Sequence, residues 1–169
     1  MYETTSSKGD IMLLEKLSFE NVEKCLNMKL NENQKAYVTS NELSLAHAYL
    51  ALEEGNMIPF PFLVKENDDY VGFLMLSYCK SDSQQPEQNN AYCIWRIMID
   101  KQFQGKGYGR SAVNESIELA QKGFAGQADM IVLFVEPENH VAIKLYESCG
   151  FSKTNEVIDG QTKYERRLK

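Results

Sequence analysis

Residues 97–110, IMIDKQFQGKGYGR, decide how the rest of this sequence is interpreted. A β-forming apolar run ends here, and three glycines at 105, 107 and 109 lead into an amphipathic pattern. Glycine lets a backbone approach a ligand closely and adopt conformations that a side chain forbids. Because the first N–H groups of a helix lack internal partners and lie at its positive dipole end, this junction predicts an anion-binding turn suited to phosphates.

Lys101, Lys106 and Arg110 place positive charge around this turn. Three known phosphate-binding patterns could apply to it. The Walker pattern G-x-x-x-x-G-K-S/T is absent, and the dinucleotide pattern G-x-G-x-x-G is not met because the glycines alternate. Q-x-x-G-x-G is met by Gln104, Gly107 and Gly109. The structural alternative is a glycine-rich turn that binds no ligand.

Outward from this turn, apolar periodicity and turn residues predict the order β-α-α-β-β-β-α-β-α-β-β, an α/β protein with a mixed sheet. Pro59 and Pro61 mark a predicted turn, and Ser18 is a predicted helix N-cap. The strands are predicted at 11–17, 62–65, 70–78, 91–100, 130–135, 151–157 and 163–168. The helices are predicted at 19–26, 33–54 with a break near 39–41, 107–122 and 141–149.

The 169-residue length favours one compact domain, predicted at residues 11–169 behind a flexible tail at 1–10. The tail is too polar for a signal peptide, and no stretch approaches the ~18–20 apolar residues of a membrane span, so no membrane association is expected. Residues 80–90, KSDSQQPEQNN, predict an exposed loop between strands.

Net charge and cysteine content limit which partners and which metals the protein is expected to bind. The 18 Lys and Arg against 24 Asp and Glu give a net charge of −6, which argues against nucleic acid and suits a small cationic partner. No two of the four cysteines form a C-x-x-C pair and there are only two histidines, so no metal site is expected. We expect the four cysteines to be small buried apolar residues in a reducing, cytoplasmic setting; they are Cys25, Cys79, Cys93 and Cys149.

At this point the sequence resembles the GNAT superfamily of acetyl-CoA-dependent N-acetyltransferases. Its signature R/Q-x-x-G-x-G/A is matched by residues 104–109, and the order of elements is similar over nearly the whole chain. A second segment resembles the family's N-x-x-A-x-x-L-Y-x-x-x-G-F pattern. Its matching residues are Asn139, Ala142, Leu145, Tyr146, Gly150 and Phe151.

This resemblance implies a GNAT-like, mostly antiparallel sheet of about seven strands flanked by about four helices. It implies acetyl-CoA as cosubstrate, with loop amides holding the pyrophosphate and the fourth predicted strand pairing with the pantetheine arm. The implied cofactor-binding residues are Ile97, Met98, Ile99, Gln104, Gly105, Lys106, Gly107, Tyr108, Gly109, Arg110, Asn139 and Tyr146. Asn139 is also a good N-cap, and Tyr146 could be only a packed aromatic.

The implied chemistry is direct attack of an amine on the thioester in a ternary complex. A backbone N–H near residues 97–99 would stabilise the oxyanion, and Tyr146 would protonate the departing thiolate. Some polyamine acetyltransferases of the superfamily place a glutamate base where this chain has Trp95. Water or Glu136 is therefore expected to take the amine proton, with His140 a weaker candidate.

Residues 37–49, YVTSNELSLAHAY, resemble the V-x-S-N-x-x-S-L-A-x-A-Y stretch of bacterial spermine/spermidine acetyltransferases. The resemblance implies a polyamine acceptor and a homodimer, with Glu42, Tyr49, Trp95 and Glu136 as substrate-binding candidates. Another acceptor amine (an aminoglycoside, an amino acid or a protein N-terminus) is the alternative within the class. A non-catalytic acetyl-CoA-binding module is the alternative from another class, and the missing fingerprints disfavour a nucleotide-binding or redox protein.

Overall fold

The structure is a computed structural model that describes residues 2–3, 12–55, 57–80 and 90–169. Its helices are α1 (Val22–Leu26), α2 (Asn41–Glu54), α3 (Tyr108–Gln121) and α4 (His140–Ser148), with a 3-10 turn at Glu32–Gln34. Its strands are β1 (Tyr2–Glu3), β2 (Met12–Lys16), β3 (Ile58–Glu66), β4 (Asp69–Cys79), β5 (Ala91–Ile99), β6 (Met130–Val135), β7 (Ser152–Ile158) and β8 (Gln161–Arg167).

The strands form a single mixed sheet in the order β1-β2-β3-β4-β5-β6-β8-β7. Every neighbouring pair is antiparallel except β5 and β6, which run parallel. From β2 onward the element order is the predicted one, so the expected GNAT-like fold class is confirmed. Tyr2–Glu3 pairs with β2 and lies within the predicted tail, whose other residues lie outside the described part, as do Ile11 and residues 81–89 of the predicted loop.

Pro59 and Pro61 lie inside β3, so the prediction of a turn at these prolines is wrong. The β2 ladder ends at Phe62 on β3, and residues 58–61 keep their register with β4, although the Pro61 carbonyl still accepts from Leu17 N at 3.1 Å. This part of β3 is therefore an edge, where a proline can lack its N–H without removing a ladder hydrogen bond.

Both helices before β3 begin later than the sequence pattern predicts. Ser40 caps α2, its hydroxyl accepting from Leu43 N at 3.3 Å, so the predicted helical stretch from residue 33 becomes a 3-10 turn and a loop. The Ser18 N–H donates to the Asn21 side chain, and α1 begins at Val22. Phe19, the first residue of the helix predicted at 19–26, is fully exposed.

The sheet is a central layer with an apolar core on each face. One core includes Tyr92 and Ile94 of β5 and packs against α3 and α4. The other core includes Phe73 and Met98 of the sheet and packs against apolar residues of α1 and α2. All four cysteines are buried and none of them forms a disulfide bond with another, as expected for small apolar core residues.

Helix α3 buries a carboxyl group that gives the fold a pH-dependent stability. Glu115 is only 7% exposed, and this burial, with the neighbouring Glu118, raises its pKa to about 7. The folded chain thus binds this proton more tightly than the unfolded chain, and stability falls as the pH rises from about 4.5 through 7.

We expect Glu115→Gln to raise the melting temperature by about 2–4 °C near pH 8.5, or about 1 kcal/mol after allowance for solvent screening. Near pH 4.5, where Glu115 is already neutral, the substitution should change little. Calorimetry at both pH values measures this, with the exposed Glu53→Gln on α2 as control. An equal gain at both pH values would contradict the titration of Glu115.

Candidate active site

Strands β5 and β6 separate partway along their length and open a cleft in the sheet. They pair only from Ala91 with Met130 to Cys93 with Val132. Beyond that point β5 stays paired with β4, and β6 with β8. The resulting cleft has a volume of about 820 Å³. Its size is that of a ligand site for a small molecule or cofactor.

A β-bulge in β5 marks the start of the separated segment. Met75 pairs with Arg96 and Leu76 pairs with Ile94, so Trp95 is the extra residue. Bulges redirect side chains at such positions. Trp95 contacts the apolar clusters that contain Met57 and Cys93, and it lines the cleft.

The backbone of β5 presents hydrogen-bonding groups to the cleft. Asp100 N donates to Val71 O of β4 at 2.9 Å. Because successive residues of a strand direct their N–H and C=O groups to opposite edges, those of Ile97 and Ile99 face away from β4 and toward the cleft. This edge is the one that, by the resemblance, would pair with an extended ligand.

The three glycines of the turn have different structural roles. Gly105 and Gly107 have φ values of 78° and 89°, and a Cβ on either would point into open space. Gly107 begins α3 without a side-chain cap, and the first turn of that helix has no acidic residue. A Cβ on Gly109 would lie 3.4 Å from Leu145 Cδ2, so this glycine allows α3 to approach α4. The turn therefore offers open, unobstructed amides at a helix N-terminus, which suits a phosphate.

The Gln104 side chain connects the glycine turn to the segment before α2. Its Nε2 donates to Ile99 O at 2.9 Å and to Gln34 Oε1 at 2.8 Å, and its Oε1 accepts from Asn31 Nδ2 at 2.9 Å. The amide is thus used in shaping the turn. Lys106 Nζ lies 5.5 Å from the centre of the Phe103 ring. Neither Lys106 nor Arg110 lines the cleft, but every other residue predicted to bind the cofactor does.

Helix α4 directs two predicted residues to the opposite wall. Asn139 accepts from Ala142 N at 3.2 Å, so it is an N-cap that also lines the cleft. Tyr146 is 8% exposed and packs edge-on against Phe151. Burial, together with the Cys93 and Cys149 thiols, raises the pKa of Tyr146 well above its ordinary value of 10. The phenol therefore keeps its proton at any pH at which the protein would work.

Polar residues after β6 line a second part of the cleft, called here the Glu136 end. Glu136 follows β6 there, and its Oε1 accepts from Gln161 Nε2 at 3.2 Å. His140 lines the same wall. The structure places Glu42 and Tyr49 outside the residues that line the cleft, and Tyr49 is 62% exposed.

Sequence reasoning missed several residues that line the cleft, among them Arg96 and Gln161. A signal for Arg96 was present, since it is the one charged residue within the apolar strand AYCIWRIMI. Gln161 gave no local signal because only the β7–β8 hairpin brings it beside Glu136.

The described residues contain neither a cluster of metal-ligating side chains nor a helix suited to span a membrane. No three side chains among their His, Cys, Asp and Glu residues converge as metal ligands would. None of their helices combines the length and the apolar character needed to cross a membrane.

Comparison with solved structures supports the fold. A crystal structure of spermidine N-acetyltransferase from Vibrio cholerae, in complex with CoA and spermine, superposes with a TM-score of 0.66. The match covers 93% of this chain and 95% of that one at 19% sequence identity, which compares the folds alone.

Sequence relatives agree with the structural match. An uncharacterized N-acetyltransferase of Methanocaldococcus jannaschii, MJ1207, is 32% identical over 63% of this chain, but the match spans only 45% of its length. The spermine/spermidine N(1)-acetyltransferase of Bacillus subtilis is 27% identical over 78% of this chain and 82% of its own. The acetyltransferase (GNAT) family model matches residues 24–151, which include the separated strands, the glycine turn and Tyr146. With that match over most of its length, the chain belongs to the acetyltransferase (GNAT) family.

Proposed function

We propose that the protein transfers the acetyl group of acetyl-CoA directly to a primary amine of a polyamine such as spermine or spermidine. The observation that carries this proposal is the cleft between β5 and β6, which has an anion-binding turn at one end and a buried tyrosine on its wall. The turn suits the pyrophosphate of the coenzyme, and the edge of β5 suits its extended arm.

The donor half of the cleft is assigned to the coenzyme. The amides of residues 105–109 hold the pyrophosphate, since their glycines leave the approach open. The backbone groups of Ile97 and the N–H of Ile99 face the arm, and this edge also supplies an N–H to the oxyanion. Gln104 maintains this arrangement by holding Ile99 O and the turn together.

The chemistry assigned to the chain is a single transfer in a ternary complex. The amine nitrogen forms a bond to the acetyl carbon, the carbon–sulfur bond breaks, and Tyr146 gives its proton to the sulfur. Its raised pKa means that the phenol is protonated before the reaction, which is the form that an acid requires. Glu136, held by Gln161, or a water molecule beside it takes a proton from the amine.

A polyamine acceptor is supported by the charge of the Glu136 end and by the relatives. Glu136, Glu138 and Asp159 line the cleft there, and Trp95 offers an aromatic face. Carboxylates and aromatic rings are the groups that hold ammonium ions. Two relatives with this acceptor in their names, from Bacillus subtilis and Vibrio cholerae, share the fold over most of the chain.

An acceptor panel tests the substrate class. Spermine and spermidine should release free thiol from acetyl-CoA with a higher kcat/KM than an aminoglycoside, an amino acid or a peptide with a free N-terminus. A thiol reagent can follow the reaction because the chain's own cysteines are all buried. Turnover of another amine with none of either polyamine would overturn the acceptor, and coenzyme binding without any turnover would indicate a binding module.

A homodimer, which the resemblance implies, and a cytoplasmic location, which the sequence predicts, stay predictions. Sedimentation velocity of the full chain measures the first of these. Fractionation of the source cells measures the second.

A further inference from the structure

The segment of residues 29–39, which precedes α2, forms one wall of the cleft. Its residues 37–39 line the cleft, and Val38 and Trp95 both pack against the apolar core beneath α1 and α2. Tyr146 belongs to the core on the opposite face of the sheet. This wall therefore bounds the cleft on the face away from the tyrosine that is assigned to protonate the coenzyme sulfur.

The groups assigned to the acceptor lie on the same face of the sheet as this wall. Trp95 and Phe134 pack against the apolar cluster that contains Val132. Because successive strand residues point to opposite faces, Glu136 is the next residue of β6 in this alternation and follows Phe134 on that face. Tyr108, which follows the last positive-φ glycine of the turn, packs against the core on the other face. The wall and the acceptor groups therefore share one face, and the coenzyme turn approaches from the other.

Three side-chain hydrogen bonds attach the segment 29–39 to the end of β5 and to the glycine turn. Lys29 N donates to Asp100 Oδ2 at 2.9 Å. Asn31 Nδ2 donates to Gln104 Oε1 at 2.9 Å, and Gln104 Nε2 donates to Gln34 Oε1 at 2.8 Å. Of these three contacts, the one at Gln34 is the nearest in sequence to the wall residues 37–39.

One main-chain carbonyl fixes the direction of the hydrogen bonds around Gln104. Ile99 O can only accept, so the group of Gln104 that bonds to it at 2.9 Å is the Nε2 amide. The second N–H of this amide donates to Gln34 Oε1. That oxygen also accepts from Asn31 N at 3.3 Å, and Gln34 O accepts from Tyr37 N at 3.0 Å. Gln34 thus contacts the glycine turn through its side chain and the wall through its main chain.

We infer that Gln34 is a positioning residue of the active site: through Gln104 it fixes the wall at residues 37–39 relative to the glycine turn, and so sets where an acceptor amine lies with respect to the bound coenzyme. This inference rests on the proposed acetyl transfer to an amine. Gln34 acts through Gln104 and not through a bond to either reactant. Both N–H groups of the Gln104 amide are used within the chain, so this amide holds two segments of the protein together.

Gln34→Leu removes the oxygen that accepts from Gln104 and keeps a side chain of similar size. Gln104 retains its contacts with Ile99 and Asn31, so the turn should stay in place while the wall loosens. We therefore expect the KM of the best acceptor in the panel to rise about three- to tenfold, as for the loss of one hydrogen bond. The affinity for acetyl-CoA should change by less than about twofold, because the turn that holds the coenzyme is unaltered.

Two variants control for this change in steady-state kinetics and in calorimetric titration with acetyl-CoA. Gln34→Glu keeps an oxygen that can accept from Gln104 and from Asn31, so it should retain the wild-type KM. Gln121→Leu removes a glutamine that donates to Leu168 O at 3.0 Å and does not line the cleft, so it should also leave KM unchanged. An unchanged acceptor KM in Gln34→Leu would overturn the proposal, as would a Gln34→Glu variant that is equally impaired or an equal loss of acetyl-CoA affinity.

Hydrogen exchange on the free protein is a second measurement, which needs neither coenzyme nor turnover. The Tyr37 amide, bonded to Gln34 O, should exchange about three- to tenfold faster in Gln34→Leu. Gln104→Leu should have a similar effect, and the double variant should exchange no faster than Gln104→Leu alone, because both act through one contact. An unchanged rate in Gln34→Leu, or effects that multiply in the double variant, would overturn the proposal. A wild-type enzyme without any turnover would instead overturn the proposed function, and the exchange rates would still decide whether Gln34 holds the wall.

Discussion

Gly107→Val is expected to abolish measurable binding of acetyl-CoA while the chain remains folded. Gly107 begins α3 with a φ of 89°, and its Cα faces open space where the anion would lie. A valine side chain would fill that space and resist the left-handed backbone conformation. Loss of two charge-assisted amide contacts, each of about 1.5–3 kcal/mol, corresponds to a fall in affinity of at least about 100-fold.

The control for this variant is Gly55→Val. Gly55 ends α2 with a φ of 70°, and a Cβ there also meets nothing within 4 Å. It is not among the cleft-lining residues, so the substitution has the same backbone strain, of about 1–2 kcal/mol, without the steric block. Calorimetric titration with acetyl-CoA should show binding by Gly55→Val and none by Gly107→Val. Equal affinities would exclude the glycine turn as the pyrophosphate site.

Tyr146→Phe is expected to lower kcat by about 10²- to 10⁴-fold and to leave the affinity for acetyl-CoA nearly unchanged. The substitution removes the hydroxyl and keeps the ring that packs against Phe151. Because burial raises the pKa of Tyr146, wild-type kcat should show no fall from its ionisation below about pH 10. Steady-state rates with the best acceptor of the panel, measured across this pH range, test both expectations.

Tyr164→Phe provides the comparison for the loss of a buried hydroxyl. Tyr164 lies on β8 in the same apolar core as Tyr146 but does not line the cleft. Its substitution should leave kcat unchanged. If Tyr146→Phe had no larger effect than Tyr164→Phe, Tyr146 would be only a packed aromatic residue, and another group would have to protonate the thiolate.

Much of the site was predictable because its signals are local in the chain. The glycines at 105 and 107 have the positive φ values that only a glycine adopts readily, and Asn139 caps the helix that it precedes. Such features depend on the chemistry of a few consecutive residues. The order of strands and helices from β2 onward follows from periodicity in the same way.

The part of the cleft assigned to the acceptor amine was less predictable, because it depends on which face of each helix or strand is buried. Helix α2 has apolar residues all round, so its pattern does not indicate an inner face. In the fold Ser44 and Ala48 pack inward, Leu43 and Leu50 are exposed, and Glu42 and Tyr49 lie outside the cleft. The small residues decide this because they allow the helix to approach the sheet closely.

The sequence by itself determined the mixed α/β fold and the positions of the glycine turn and Tyr146, because conformational preference and periodicity act over short distances. Only the tertiary structure decided that β5 and β6 separate after Cys93, that Gln104 holds Ile99 O, and that Arg96 enters the cleft without an ion-pair partner in the described part of the chain. Each of these depends on contacts between residues remote in sequence, and such contacts form only when the sheet is assembled.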